Sequence, residues 1–120
     1  MKSPFLLVAA LVLAPSIHAE NAMGIASRIE QQKIEAIQTY LKDNPEAEDE
    51  EEAIAILVGS YMSVGEFKPI PDLLTQRYEL QGHDEEPNLQ VIIGEIVRPF
   101  IDAAIVSDQR DKAKAFVARV

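Results

Sequence analysis

The sequence contains no cysteine, and that absence removes several classes of protein at once. No disulfide can brace the fold, although small exported domains often rely on them. No thiolate can serve as a nucleophile, and the C-x-x-C pair of thiol–disulfide chemistry is missing. Histidine is nearly absent as well, with only two residues, His18 and His83, so the usual structural zinc sets cannot be assembled. Glycine is sparse, at five residues, and no glycine-rich phosphate loop or G-x-S-x-G elbow can be found. Ser60 and Ser63 have no histidine near them in sequence. Basic residues number 11 against 20 acidic ones, for a formal charge of −9. Such a chain is a poor candidate for nucleic acid, which is gripped through Lys and Arg on phosphates, or for an anionic membrane surface. No catalytic, cofactor-binding or metal-binding residue is therefore assigned.

What is present begins with an export signal. Met1-Lys2 gives a positive end, residues 5–14 form a short uncharged apolar run, and Ile17-His18-Ala19 makes a cleavage site before Glu20. This is the layout of a secretory signal peptide. The competing reading is an uncleaved anchor, but the run is short of the roughly 20 apolar residues a spanning helix needs. No cysteine stands at the cleavage point, so a lipoprotein-type anchor is excluded. Residues 20–120 are expected to form one small exported domain, periplasmic or extracellular.

The strongest pattern lies at residues 53–80. Ile54, Leu57, Val58 and Tyr61 fall on one helical face, and Ile70, Leu73, Leu74 and Tyr78 do nearly the same. Between them Gly65 is placed to take the positive φ that closes a helix, and Pro69 and Pro71 suit the first turn of the next. Short helices in water need a packed face, so this pair is expected to be a helical hairpin.

Around the hairpin the reading is also helical. Residues 21–43 carry Ile25, Ile29, Ile34, Ile37 and Leu41 at helical intervals, with Ser27 as the expected N-cap and Asp43-Asn44-Pro45 as the stop. The run PEAEDEEE at residues 45–52 offers hard oxygen ligands for a cation, but its spacing does not fit an EF-hand loop. The favoured reading is that Glu46 to Glu52 precede and open the helix at Ala53 and interact with its dipole. QGHDEEPN at residues 81–88 reads as a solvated loop, with His83 the sole histidine once the signal is gone. Residues 89–106 form the most apolar stretch, and Ile92, Ile93, Ile96, Val97 and Phe100 predict a kinked, mostly buried central helix, with Pro99 bending it. Ser107-Asp108 is expected to cap a last helix bearing Ala113, Phe116, Val117 and Val120. That helix has no stop signal, and the expectation is either a chain cut within it or a last helix that packs down tightly.

With Gly65 set on the turn glycine, the hairpin resembles one tetratricopeptide-type unit: Ile54, Leu57, Tyr61, Gly65, Phe67, Leu74 and Tyr78 fall on its large apolar, tyrosine or glycine positions. Val58, Ile70 and Arg77 depart from it, standing where the motif wants small residues. A looser likeness joins the export signal, the acidic helical segment and the closing KAKAFVARV. Together these are similar to the helical region ahead of the thioredoxin-like domain in some exported bacterial thiol–disulfide proteins.

The fold class expected is all-α, with about five helices arranged as hairpins in a tetratricopeptide-like or small orthogonal bundle. Its anchors are Ile54, Leu57, Tyr61, Gly65, Phe67, Leu74, Tyr78, Ile93, Ile96, Phe100 and Phe116. The function expected is a non-catalytic interaction or scaffold module that holds a protein partner or a neighbouring domain. One alternative is the bracing region of an exported thioredoxin-like redox protein. The other is a carrier with an apolar ligand cavity beside residues 89–105.

Overall fold

The helical spacing of apolar residues is realised as helices and nothing else. The computed structural model describes residues 20–81 and 88–120, and among these there are five helices and no strand. Helix α1 is Ala22–Asp43, α2 is Glu50–Val64 and α3 is Ile70–Gln81. Helix α4 runs unbroken through Leu89–Val91, Ile92–Val97 and Arg98–Val106, and α5 is Arg110–Arg119. The fold is all-α. The expected signal peptide and the loop holding His83 lie outside the described residues. No helix among the described residues is long and apolar enough to cross a membrane.

Local chemistry explains most boundaries. Helix α1 starts earlier than expected, because Asn21 rather than Ser27 is its cap: Asn21 Oδ1 accepts from the Gly24 N–H at 2.8 Å. It stops at Asn44, whose side-chain amide donates to the Tyr40 carbonyl at 2.9 Å, just before Pro45. Glu50, Glu51 and Glu52 occupy the first turn of α2, where carboxylates interact favourably with the dipole. That helix therefore opens three residues before Ala53. It closes on Gly65 at φ 75°, with the Glu66 N–H donating to the Tyr61 carbonyl at 2.9 Å, a left-handed cap that suits glycine.

The bend expected at Pro99 takes the form of a change in helix type. Proline has no N–H to donate and its ring clashes with the carbonyl four residues back. Residues Ile92–Val97 adopt the wider π form, with the Arg98 N–H donating to the Ile93 carbonyl. This change corrects one anchor. Ile92, Ile96 and Phe100 (7%, 0% and 2% exposed) share the inward face at intervals of four, and the widened turn carries Ile93 outward to 61% exposure. Leu89, Ile105 and Val106 are exposed too, so α4 is half-buried rather than mostly buried.

The cap of α5 is also corrected. Ser107 Oγ donates back to the Ala103 carbonyl at 2.6 Å, Asp108 takes a positive φ of 59°, and Gln109 is the residue that precedes the helix.

The core is continuous. Helix α1 packs on α2, α2 on α3, and α3 on α4 and α5. Ile54, Ile70, Leu74 and Ile96 are sealed from solvent, with Leu57, Tyr61 and Phe116 nearly so, while Phe67 and Tyr78 pack partly buried against them. Phe100 and Phe116 stack at 4.1 Å between centroids, and Tyr78 meets Phe116 edge-on at 5.4 Å. Offset and edge contacts of this kind add to the area they bury.

Two predictions rest on this packing. Phe100→Ala should remove about 3–5 kcal/mol of stability, read as a large fall in the urea midpoint; an unchanged midpoint would overturn the central role given to α4. Gly59 sits within α2 with open space around the missing Cβ, so Gly59→Ala should stabilise by roughly 1 kcal/mol. The same change at left-handed Gly65 should destabilise by about 1–2 kcal/mol, so the two melting shifts should have opposite signs.

Candidate functional site

The hairpins place two chemically different ends on the molecule. The first is acidic. Asp43, Glu46, Glu48, Asp49, Glu50, Glu51 and Glu52 gather at the α1–α2 turn. One recess of about 360 Å³ there is lined by Glu46, Ala47, Glu48, Glu50, Glu51 and Leu80, and another of about 340 Å³ reaches Ala55 and Arg77. Several of these carboxylates already have partners. Tyr40 donates its hydroxyl to Asp49 Oδ1 at 2.6 Å, a bond to a carboxylate that raises the phenol above its ordinary pKa. Gln76 donates to Glu50 at 3.2 Å. Among the described residues no three acidic or histidine side chains converge as metal ligands would.

Behind this rim sits Arg77. Its side chain is only 11% exposed and bridges three helices, with Nε 3.3 Å from Glu51 Oε1 on α2 and Nη2 3.1 Å from Glu95 Oε1 on α4. The buried Gln81 donates to the same Glu51 oxygen. At a position where the tetratricopeptide motif wants a small residue, this chain has a cation joining two carboxylates. Helical spacing gives no sign of this role for Arg77. Its partners stand 26 and 18 residues away, beyond any helical spacing rule.

The second end is apolar. Helices α1 and α2 run antiparallel, as the pairing of Gln38 with the Tyr61 hydroxyl and of Gln31 with Glu66 Oε1 (3.1 Å) requires. Helix α1 is seven residues longer than α2 (22 against 15), about 10 Å at 1.5 Å per residue, so its first turns extend past Glu66 while Glu30 still lies against the buried Ser60 of α2. On this overhang Met23 is 79% exposed, and Ile25 and Ile29 are 40% and 50% exposed. At the same end an open groove of about 490 Å³ is lined by Gly65, Glu66, Phe67, Lys68, Pro69, Val106 and Ser107. Gln109 Nε2 ties the two turns that form the groove, donating to the Lys68 carbonyl at 3.1 Å and to Ser107 Oγ at 2.6 Å.

The α1–α2 seam between the two ends carries polar groups. Ser60 is buried, and its hydroxyl is the main cause holding the Glu30 carboxyl below its ordinary pKa, with Lys33 adding to it. Neither Ser60 Oγ nor Glu30 Oε2 completes a hydrogen bond of normal geometry, although both atoms are shut off from solvent. Burial and the charge of Glu66 push the Tyr61 hydroxyl up, against the Gln38 bond.

Of the expected anchors, Gly65 and Phe67 come together at the groove, while the others serve the core, apart from Ile93 on the outer face of α4. Val117 and Val120, expected on the packed stripe of α5, are 50% and 53% exposed. Compared with protein-family models, curated proteins and solved structures, the chain matches none.

Truncating Arg77 to Ala should leave Glu51 facing Glu95 without the cation between them. A loss of about 1–3 kcal/mol is expected, in the range for hydrogen bonds to charged groups, read from urea unfolding. A loss near zero would mean that the bridge is only a surface ion pair.

Proposed function

We infer that this chain is a non-catalytic helical interaction module of an exported protein, which engages a protein partner through its apolar end. The observation that carries the reading is the α1 overhang. A helix that runs past its packing partner with Met23, Ile25 and Ile29 in solvent leaves apolar surface that association would bury. At the same end a groove with Phe67, Pro69 and Val106 in its lining offers further apolar surface. Contiguous exposed apolar area rimmed by polar residues marks interaction sites in soluble proteins, and amphipathic helices docking in apolar grooves are a recurring mode of recognition.

A second reading is favoured by Val117 and Val120. Their exposure on α5 and just past its end supplies a surface for a neighbouring domain, as in the bracing region of an exported thioredoxin-like protein, where the redox chemistry would belong to that neighbour. An apolar-ligand carrier has less support. The recess reaching Phe100 and Phe116 is about 200 Å³ and opens to solvent between α3 and α5, below the size usual for ligand pockets.

The test is affinity capture from extracytoplasmic extract on immobilised wild-type protein and on an Ile25→Glu, Ile29→Glu variant. Specific retention by the wild type, lost in the variant with its thermal midpoint unchanged, is the expected result. If nothing is retained, another copy of the chain included, the interaction reading fails.

A further inference from the structure

We propose that the π segment of α4 is one of two registers this helix can hold, and that the register decides whether Leu89 and Ile93 lie outside or inside. The observation is a mismatch between spacing and burial. In α geometry, intervals of four, three and four put Leu89, Ile93, Ile96 and Phe100 on one stripe. In the structure Ile96 and Phe100 are buried, but Leu89 and Ile93 are 65% and 61% exposed, and Ile92 takes the inward place. The wide turn at Ile92–Val97 accounts for this, with the Arg98 N–H donating to the Ile93 carbonyl. A single wide turn acts like one inserted residue, so closing it to the α form rotates the residues before it by about 100°. That rotation carries Leu89 and Ile93 inward and moves Ile92 to the edge of the stripe.

Opposing terms bring the two registers close. The residues that exchange places, Ile92 and Ile93, are of one type, so the core keeps its composition and volume. Gly94, inside the segment, has open space around its missing Cβ, and no side chain there obstructs the rotation. Pro99 lacks an N–H in either geometry, but its ring crowds the Glu95 carbonyl, four residues back, when the preceding turn is α. The proline therefore favours the π register. Burial of Leu89 and Ile93 favours the α register, since it takes two large apolar side chains out of water. Wide turns of this kind often stand at functional positions, and packed elements pass between discrete arrangements rather than deforming by degrees. The apolar outer face at the start of α4 is thus conditional: presented in one register and withdrawn in the other.

The chain has no cysteine, so Ile92→Cys, Ile93→Cys and Ile96→Cys, made singly, each give one thiol whose labelling rate reports exposure in the intact protein. Ile93→Cys should label freely, and Ile96→Cys, inward in both registers, only on unfolding. Ile92→Cys should label at about 0.1–10% of the Ile93→Cys rate, the range set by a minor state populated to that extent. Adding Pro99→Ala should speed labelling of Ile92→Cys and slow that of Ile93→Cys. Fraying of the helix start would speed the first without slowing the second. Deletion of Gly94 removes the extra residue and fixes the present faces in plain α geometry. It should bring the Ile92→Cys rate down to that of Ile96→Cys. Equal rates for Ile92→Cys and Ile96→Cys in the otherwise unaltered chain overturn the proposal. So does an Ile93→Cys rate unmoved by Pro99→Ala, or an Ile92→Cys rate unmoved by deletion of Gly94.

Discussion

Helix α3 has only 12 residues, yet it packs against α2, α4 and α5. It does so with three side chains, Ile70, Pro71 and Leu74, that are fully sealed from solvent. A helix this short is marginal in water by itself, so its helicity depends on the neighbours that cover those residues. The neighbours depend on it in turn. Helix α5 is anchored chiefly by Phe116, which stacks on Phe100 and meets Tyr78 of α3, with Ala113 buried beside it and Lys112 and Arg119 paired to Asp72 and Glu79 of α3. Helices α2 and α4 are joined across α3 by Arg77. With no cysteine in the chain, no covalent link substitutes for this packing. Loss of the α3 contacts would therefore dissolve the fold as a unit, the cooperative behaviour expected of a single small core.

The turns explain why the two ends differ. At the α1–α2 turn, Asn44-Pro45 stops one helix and carboxylates open the next, so negative charge accumulates where the dipole of α2 stabilises it. At the α2–α3 turn the stop is Gly65, in a left-handed conformation that needs no polar run. Phe67, Pro69 and Ile70 then follow at once. Charge at one end and apolar surface at the other are thus by-products of two ways of ending a helix. The mismatch in length between α1, at 22 residues, and α2, at 15, turns the second end into an overhang.

What could be read from the sequence follows from the range of the interactions involved. Helix type, the Gly65 cap and the inward set Ile54, Leu57, Tyr61 and Leu74 are local, and spacing alone finds them. Ile93 was misplaced because a period of 3.6 assumes uniform α geometry, and the π segment ahead of Pro99 breaks that assumption. Ser27 and Ser107 were good cap residues by type, but Asn21 lay nearer the true start of α1, and Ser107 bonded backwards to Ala103 instead. The Ser107 case reflects the ability of small polar side chains to serve either backbone direction. The Arg77 bridge and the overhang were invisible for another reason. One joins residues 18 and 26 apart, and the other depends on where two helices sit in register, which Gln31 and Glu66 reveal only once they are placed side by side.

The overhang also gives meaning to an otherwise costly arrangement. Residues 22–29 have few partners on α2, so helix propensity, the Asn21 cap and the Glu20–Arg28 pair hold most of them. A cap contributes about 1 kcal/mol and a surface ion pair less than that, against roughly 1–2 kcal/mol of backbone entropy for each residue ordered. Burial of Met23, Ile25 and Ile29 would change the balance, since fully covering one such side chain contributes about 1.5–3 kcal/mol. The same association that occupies the groove would therefore also fix the first turns of α1. Binding and local order are then one equilibrium, and occupancy of the apolar end should be visible as slowed hydrogen exchange in residues 22–30.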